Sequence, residues 1–412
     1  MLHRHGILSE PKKEQTLMQP ITTLPKPERV LLPLWYPHET PRIPACEVGD
    51  TIVRGTPLGI SEKADAPILP CTVTGAFLGT REIEHPLFGT LCCADVAVTD
   101  IGLVPEERDQ EADTLDLWDT VRRAGIIDER DGQYLCDKMA AWAQEPVGTL
   151  VADATEAQPY GTAQLSLLRE RAKDCAQGLA LLADALQAKR RHIAVQLPRH
   201  IRRSLCAPLP RSAIYTVANR YPVQHFARPF SPKPVRVVGL AACLAVYDAV
   251  QRTESACCGV VTVSGNAVQK PQNLRVPYGT MLSDILRACK VKQDALIILG
   301  DAFTGVPCSD DVPVLPRMTC ILALDGYQAP AAKTCIGCGR CVSACYKGLL
   351  PYEIARRYQN GHFSRLAPLQ PERCDGCAAC EVICPAARPL TSLIQQAAGH
   401  CSMVSKWRPE DD

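Results

Sequence analysis

The chain has 412 residues, 46% of them hydrophobic, and its 45 basic and 44 acidic residues give a formal net charge of +1. This length predicts two to four domains, and the balanced charge argues against nucleic-acid binding. The longest apolar run, 237–250, is too short to span a bilayer, so a membrane link is expected only through partners. The polar stretch 1–10 lacks the apolar segment of a secretory signal, which predicts a cytoplasmic protein.

The N-terminal third predicts an arm followed by a β module. Residues 1–28 are polar and contain four prolines, which favours an extended arm. Residues 29–104 alternate short β-type runs with glycine turns, in VLLPLW, EVGDTIVRGTPLG and PCTVTGAFLG. The turn VGDTIVRGTPL resembles that of biotinyl and lipoyl barrel-sandwich domains, which carry their cofactor on a lysine. No lysine stands in the matching hairpin, so we expect a structural platform.

The middle of the chain, 114–235, predicts an open α/β sheet, reached through an acidic linker at 105–113. Apolar residues at three- and four-residue steps indicate helices, and short buried runs indicate strands. The predicted elements are helices at 114–127 and 165–186 and strands at 149–152, 192–197 and 213–217. In such sheets ligands bind beyond the carboxyl ends of the strands.

A basic cluster lies among these strands. Its members are Lys189, Arg190, Arg191, Arg199, Arg202 and Arg203. One interpretation is a solvated helix end and loop. The other is a docking site for a nucleotide phosphate or an acidic redox partner.

Residues 236–328 predict a small β-grasp unit. A helical segment is expected at 235–250, and two strands at 259–276 around the turn Ser264-Gly265-Asn266. A short helix at 282–289 and strands at 295–299 and 320–324 complete the unit.

Two cysteine motifs dominate residues 329–396. CIGCGRCVSAC at 335–345 and CDGCAACEVIC at 374–384 both read C-x2-C-x2-C-x3-C. This is the spacing of bacterial two-cluster ferredoxins, in which the fourth cysteine ligates the other cluster. The predicted ligand sets are Cys335, Cys338, Cys341 and Cys384 for the first 4Fe-4S cluster, and Cys374, Cys377, Cys380 and Cys345 for the second. Residues 397–412 are expected to form a tail.

Zinc and disulfides are the competing interpretations of these motifs. A structural zinc site takes four ligands from paired knuckles and leaves the third and fourth cysteines of each motif unused. Disulfides need an oxidising compartment, which the N-terminus does not predict. The other fourteen of the 22 cysteines are scattered without a repeated spacing and are expected to be small core residues.

The order of these modules resembles the C subunit of the Rnf electron-transport complex, with cobalamin reductases and proline-reductase electron carriers as relatives. The segments that carry the resemblance are EVGDTIVRG, VTVSGNAVQKPQNLRVPYGT and CGRCVSACYKGLLP. The resemblance implies an α+β and α/β multidomain fold. Its parts are a barrel-sandwich module, a central α/β domain like the flavin subunit of complex I, a β-grasp unit and a two-cluster ferredoxin-like α domain.

The resemblance also implies an FMN and NADH site in the central domain, where the family carries a loop of the form GxGGAGFP. This chain has AGIIDERDGQYL at 124–135, and Asp128, Glu129 and Asp131 would repel a phosphate there. The family's NGAECEPY becomes ADATEAQPY, in which Glu156 and Tyr160 are the candidate flavin contacts. A later YPQGGE turn becomes YPVQHF at 221–226, without its glycines.

The leading hypothesis is therefore an electron-transfer protein that relays single electrons between redox partners through two 4Fe-4S clusters. The resemblance implies a membrane-embedded complex, with this chain held at the inner face of the plasma membrane through partner subunits. An FMN-dependent NADH oxidoreductase is the first alternative. A scaffold or assembly protein with structural clusters is the second.

Overall fold

The computed structural model describes residues 5–36, 41–63, 65–102, 116–223 and 234–406, with side chains up to residue 401. The predicted acidic linker and residues 224–226 of the predicted turn lie outside these residues. The described chain forms a mixed α/β fold of several domains, built on three sheets of four or more strands and a two-stranded ribbon. None of its helices is both long and apolar enough to cross a membrane.

The N-terminal arm is packed onto the body of the protein. Its strand β1 (Ile21–Thr23) pairs in parallel with a strand of the later six-stranded sheet. Lys13 and Thr16 are buried polar residues, and Leu17 packs into the core of the central domain. The arm therefore contacts the central domain through Leu17 and the six-stranded sheet through β1.

The following β module contains a long antiparallel hairpin. Its six strands are β2 (Arg29–Pro33), β3 (Ile43–Pro44), β4 (Thr51–Ile52), β5 (Gly59–Ile60), β6 (Thr74–His85) and β7 (Gly89–Asp100). The sheet order is β2-β7-β6-β4, and β3 pairs with β5. Alternating side chains of β2, β6 and β7 form the core of this module, with Val30, Phe77 and Val96 buried.

The central domain is a parallel sheet covered by helices. Its elements are α1 (Leu117–Arg123), α2 (Leu135–Trp142), β8 (Thr149–Ala154), α3 (Ala163–Ala185), β9 (Arg190–Val195), α4 (Arg199–Leu205), β10 (Ile214–Thr216), β11 (Val235–Gly239) and α5 (Leu240–Arg252). The strand order is β10-β9-β8-β11, with every pair parallel. Helices α3 and α5 pack closely, since a Cβ at Gly178 would lie 1.8 Å from the Cys243 carbonyl oxygen.

The prediction of one helical segment at 235–250 was wrong. The valine-rich start forms β11, which pairs in parallel with β8, and the helix begins only after Gly239. Buried β-branched residues favour a strand when a sheet edge is available to pair with. Helix α2 was also absent from the prediction.

The next domain forms a six-stranded mixed sheet. Its elements are β12 (Cys258–Ser264), β13 (Gln272–Pro277), α6 (Leu282–Ala288), β14 (Leu296–Leu299), β15 (Val306–Cys308) and β16 (Cys320–Leu324). The order β1-β13-β12-β16-β14-β15 places the arm strand at one edge. The sheet thus ties the arm to this domain.

The C-terminal domain is helical. It contains α7 (Arg340–Ala344), α8 (Pro351–Gln359), α9 (Ala379–Val382) and α10 (Leu390–Lys406), with short 3-10 turns between residues 363 and 373. Helices α8 and α10 supply the core residues Ile354, Leu390 and Ile394, which pack around Cys341 and Cys380. The two cysteine motifs therefore share one small core.

Candidate metal centre

The two cysteine motifs fold into matching loops. Gly339 has φ of 70° and directly precedes α7, and Ala378 has φ of 58° at the matching place before α9. Gly337 and Gly376 are also in the left-handed region, with φ of 69° and 72°. Left-handed residues tighten a loop, so each motif wraps its first three cysteines around one centre.

The first predicted ligand set lines a single cavity of about 490 Å³. Cys335, Cys338 and Cys341 come from the first motif, and Cys384 comes from the end of the second. The structure thus brings together the four cysteines that the cross-ligation pattern assigns to one cluster. Among the described residues, no group of His, Cys, Asp or Glu is arranged to hold a single metal ion.

The second predicted set is also brought together. Burial raises the pKa of Cys377 to about 11 and that of Cys380 to about 12, and the Cys345 thiol contributes to both increases. Burial also raises the pKa of Cys374, again with a contribution from Cys345. Cys345, from the first motif, therefore lies beside the three leading cysteines of the second. Because a raised pKa keeps Cys374, Cys377 and Cys380 protonated at neutral pH without metal, metal binding must release protons.

Nearby donors fit thiolate ligands. Burial raises the pKa of Cys341, and the backbone N–H groups of Tyr352 and Val342 oppose that effect. Backbone N–H groups of Gly376 and Ala379 act in the same way on Cys374 and Cys377. Such donors favour the ionised form of sulfur, and hydrogen bonds to sulfur help to set the potential of iron-sulfur clusters.

The Thr391 hydroxyl is a further buried donor beside the second set. Among the described residues it has no hydrogen-bond partner of good geometry, although it lies near enough to Cys380 to oppose the rise in that thiol's pKa. The contact is therefore weaker than a full hydrogen bond. A buried hydroxyl without a partner is costly, and a thiolate or sulfide acceptor here would satisfy it. The residues present thus fit an iron-sulfur cluster.

We expect Thr391→Val to lower the reduction potential of the second cluster by roughly 20 to 60 mV. One neutral hydrogen bond contributes about 0.5–1.5 kcal/mol, and for a one-electron step about 59 mV corresponds to a tenfold change in the equilibrium constant. Thr391→Ser keeps the hydroxyl and should leave the potential unchanged. An EPR-monitored titration measures both. An equal shift in the two variants would show that side-chain packing is responsible and that the hydroxyl is not.

The C-terminal domain is attached to the body through both motifs. Tyr221 donates from its hydroxyl to the carbonyl oxygen of Cys377 at 2.7 Å, and the Gly6 N–H donates to the Ala344 carbonyl at 3.1 Å. Ala344 and Ala379 are fully covered in a small core with Ile7 and Tyr221. The arm and the central domain therefore hold the second set of cysteines against the body.

Glu156 and Tyr160, the candidate flavin contacts, face the N-terminal arm and helix α3. The Glu156 carboxylate accepts from the N–H groups of Gln164 and Leu165, both at 3.0 Å, in the first turn of α3. Burial raises the pKa of Glu156, and the Lys13 ammonium opposes that rise. The Tyr160 N–H donates to the Pro11 carbonyl at 2.9 Å, and the Lys12 ammonium lies 5.6 Å from the Tyr160 ring centre.

Residues 334–387 match the family described as "4Fe-4S dicluster domain". The C subunit of the ion-translocating oxidoreductase complex of Rhodobacter capsulatus is 28% identical over 392 residues, covering 87% of this chain and 75% of that protein. The C subunit of the proton-translocating ferredoxin:NAD(+) oxidoreductase complex of Clostridium ljungdahlii is 24% identical, covering 84% and 82%.

The resemblance to the C subunits of Rnf-type complexes is confirmed. Some of these subunits are longer. The C subunit of Pseudomonas aeruginosa is 25% identical, and the match covers 85% of this chain but only 49% of that protein. Among solved structures, an NAD+-reducing [NiFe]-hydrogenase in the H2-reduced state aligns with a TM-score of 0.45 at 17% identity, covering 69% of this chain and 62% of that chain.

The loop at 124–135, where the resemblance implied a glycine-rich segment, is occupied by its own carboxyl groups. The Glu129 carboxylate accepts from the N–H groups of Ala241 at 2.9 Å and Ala242 at 3.1 Å, in the first turn of α5. A Cβ at Gly239 would lie 2.2 Å from that carboxylate, so a larger residue there would displace it. Asp128 pairs with the buried Lys138. The N-terminal turn of α5 therefore already holds a carboxyl group from the chain.

The cavity beside this loop is small. It encloses about 60 Å³ between the β module, the central domain and the six-stranded sheet, and Gly125, Glu129 and Tyr278 are among its lining residues. Binding pockets for small molecules and cofactors usually measure about 300–1,000 Å³. A flavin does not fit this cavity as the chain is folded here.

Sequence patterns did not reveal three of these residues. Lys13 lies in a polar arm, yet its ammonium donates to the Gln158 carbonyl at 3.1 Å inside the protein. Tyr221 was identified only as the start of a degenerate turn, and Thr391 stands in an ordinary helical sequence. Thr391 stands eleven residues after Cys380, and no general rule connects that spacing with a hydrogen bond to a ligand sulfur.

Proposed function

We propose that this protein is an iron-sulfur electron-transfer subunit of an Rnf-type redox complex. The observation that carries the proposal is the cavity in which Cys335, Cys338 and Cys341 meet Cys384 from the other motif. In two-cluster ferredoxins the fourth cysteine of each motif ligates the cluster of the other motif, which accounts for a cavity lined by cysteines of both motifs. A site for one metal ion does not account for it. The matching family and the similar C subunits support the same function.

We assign four cysteines to each cluster. Cys335, Cys338, Cys341 and Cys384 would hold the first, and Cys374, Cys377, Cys380 and Cys345 would hold the second. When bound, such clusters accept and release single electrons at potentials that the protein tunes. The eight cysteines would lose their protons as ligands, and nearby backbone N–H groups would donate to their sulfur atoms. Tyr221 and the arm would exclude water from the second set.

The other domains would form a platform for this pair of clusters. We propose boundaries of 29–104 for a barrel-sandwich module, 114–252 for a domain related to the complex I flavin subunit, 253–328 for a β-grasp unit and 329–406 for the ferredoxin-like domain. The boundaries predicted at 235 and 396 were wrong, because β11 pairs with β8 of the central sheet and helix α10 continues to Lys406. The parallel sheet, the long β6–β7 hairpin and the arm strand added to the six-stranded sheet support this division. The names of the relatives, which are subunits of ion- and proton-translocating complexes, favour attachment to partner subunits. We propose that this attachment lies at the cytoplasmic face of a membrane complex.

We further propose that the central domain works without FMN or NADH. Glu129 and Glu156 accept backbone N–H groups at the first turns of α5 and α3, where a helix would otherwise offer its positive end to a phosphate. The cavity of about 60 Å³ beside Glu129 also supports this proposal. Glu156 and Tyr160 would then be structural contacts of the arm.

Anaerobic purification and reconstitution, followed by counting of iron, acid-labile sulfide and flavin, tests the proposal. We expect about eight irons and eight sulfides per chain, no stoichiometric flavin and no bleaching of the cluster absorbance by NADH. Tightly bound flavin with NADH-driven bleaching would instead establish the oxidoreductase alternative. A colourless protein with zinc would overturn the assignment of clusters.

A further inference from the structure

The two cysteine sets differ sharply in their exposure. Cys335 and Cys338 are exposed, whereas Cys380 is buried and Cys374 and Cys377 are partly buried. The loop of the second set is also covered by Tyr221 and the arm. An electron that leaves or enters the protein at its surface therefore has its shortest route through the first set.

We propose that the surface around the first set is the docking site for an acidic one-electron transfer protein. This inference rests on the proposed function and adds the place and the chemistry of the partner. We call this surface the Cys335 rim, defined by Lys333, Ile336, Arg340, Leu350, Tyr352 and Arg388.

The centre of the Cys335 rim is apolar. Ile336 is 70% exposed, and Leu350 and Tyr352 are each 38% exposed, although all three line the cavity that the cysteines share. Large hydrophobic side chains in one exposed group indicate an interaction site. An apolar centre with a charged border is also the usual anatomy of a protein interface.

The border of the rim is positive. Lys333 and Arg340 are exposed on either side of the first two cysteines. Arg388 is the one charged residue, among those described, that lines the cavity. Such a one-sided distribution attracts an acidic partner and speeds its encounter with the protein.

Two carboxylates of the C-terminal domain are engaged in ion pairs. Glu353 is buried and pairs with Arg357 at 2.7 Å and Arg356 at 2.8 Å. Asp375 lies 3.7 Å from Lys347, in the second motif. These two carboxylates are therefore paired with cations outside the rim and do not neutralise Lys333, Arg340 or Arg388.

The chain offers a matched comparison in its other basic cluster. Arg199 and Arg203 are exposed on α4 of the central domain, while Arg202 donates to Thr216 and Arg191 lies 3.6 Å from Asp184. Arg199 and Arg203 are therefore two exposed surface charges on another domain. Reversing them changes the net charge by the same amount as reversing Lys333 and Arg340.

The test measures electron transfer from the reconstituted, dithionite-reduced full chain to two acceptors by stopped flow. One acceptor is an acidic blue copper protein, whose Cu(II) takes one electron to become Cu(I). The other is a basic cytochrome c, whose Fe(III) becomes Fe(II). In each case the protein is oxidised by one electron, and no proton transfer is needed.

We expect Lys333→Glu/Arg340→Glu to lower the second-order rate constant with the copper protein by roughly tenfold or more at low ionic strength. The same variant should react faster with cytochrome c, and added salt should shrink both differences. Arg199→Glu/Arg203→Glu should change either rate by less than about twofold.

Equal rates for the two double variants would overturn the proposal, and a loss confined to Arg199→Glu/Arg203→Glu would place docking at the other basic cluster. Iron and sulfide contents equal to those of the unaltered chain show that both variants keep their clusters. If the unaltered chain reduces neither acceptor, the proposed electron-transfer function has failed. That failure differs from a docking failure, in which all the proteins reduce both acceptors at unchanged rates.

Discussion

Replacing Cys384 with alanine is expected to destroy the cluster held by Cys335, Cys338 and Cys341, and to spare the cluster of its own motif. The cavity of about 490 Å³ contains Cys384 together with the first three cysteines of the other motif. Loss of one thiolate opens a coordination position on a cluster that needs four. Iron and sulfide should fall to roughly half of the unaltered values.

Double variants identify which cluster is lost. Cys384→Ala combined with Cys341→Ala should lose no more iron than either change alone, because both remove ligands of one cluster. Cys384→Ala combined with Cys380→Ala should lose nearly all of it. The opposite pattern would contradict the crossed ligation. Cys401→Ala is the matched control, since that cysteine packs against the same core but belongs to neither motif.

Glu129→Gln is expected to remove a pH dependence of stability that the unaltered protein shows. Burial, followed by the neighbouring Asp128, raises the pKa of Glu129 from 4.5 to about 8. Between pH 4.5 and about pH 8, Glu129 therefore keeps its proton in the folded protein and has lost it in the unfolded chain. This contribution to stability is complete below pH 4.5 and is lost as the pH rises through about 8.

The expected size is on the order of 2–5 kcal/mol, since each unit of pKa shift corresponds to about 1.4 kcal/mol. Calorimetry of the anaerobic holoprotein between pH 5 and pH 8.5 should show a falling unfolding temperature. Glu129→Gln should flatten that slope, whereas Glu62→Gln, an exposed control, should leave it in place. A slope that survives in Glu129→Gln would assign the effect to other groups.

The cysteine centre was the part of the site that could be predicted from sequence, because cluster ligation depends on short spacings within one loop. The crossed assignment of Cys345 and Cys384 rests on the same spacing rule and stays a prediction. The long helix α3 was also predictable, since Leu165, Leu168 and Leu179 repeat on one face over several turns.

The contacts that close the central domain were not predictable, because they join residues far apart in the chain. Glu129 accepts from the backbone of Ala241, more than a hundred positions later, and Tyr221 reaches Cys377. From the sequence we predicted that Glu129 would repel a phosphate, but not that it would cap α5 itself. The strand β11 was missed for a similar reason: its valines suit either a buried helix or a strand, and only its pairing with β8 decides between them.

The most direct test of the central claim is an EPR-monitored redox titration of the reconstituted full chain. Two neighbouring 4Fe-4S clusters that relay electrons should both reduce reversibly, with two spins per chain and magnetic interaction in the fully reduced protein. The potentials should return unchanged on reoxidation. One spin, or clusters that stay silent until they decompose, would contradict the electron-transfer account and favour a structural role.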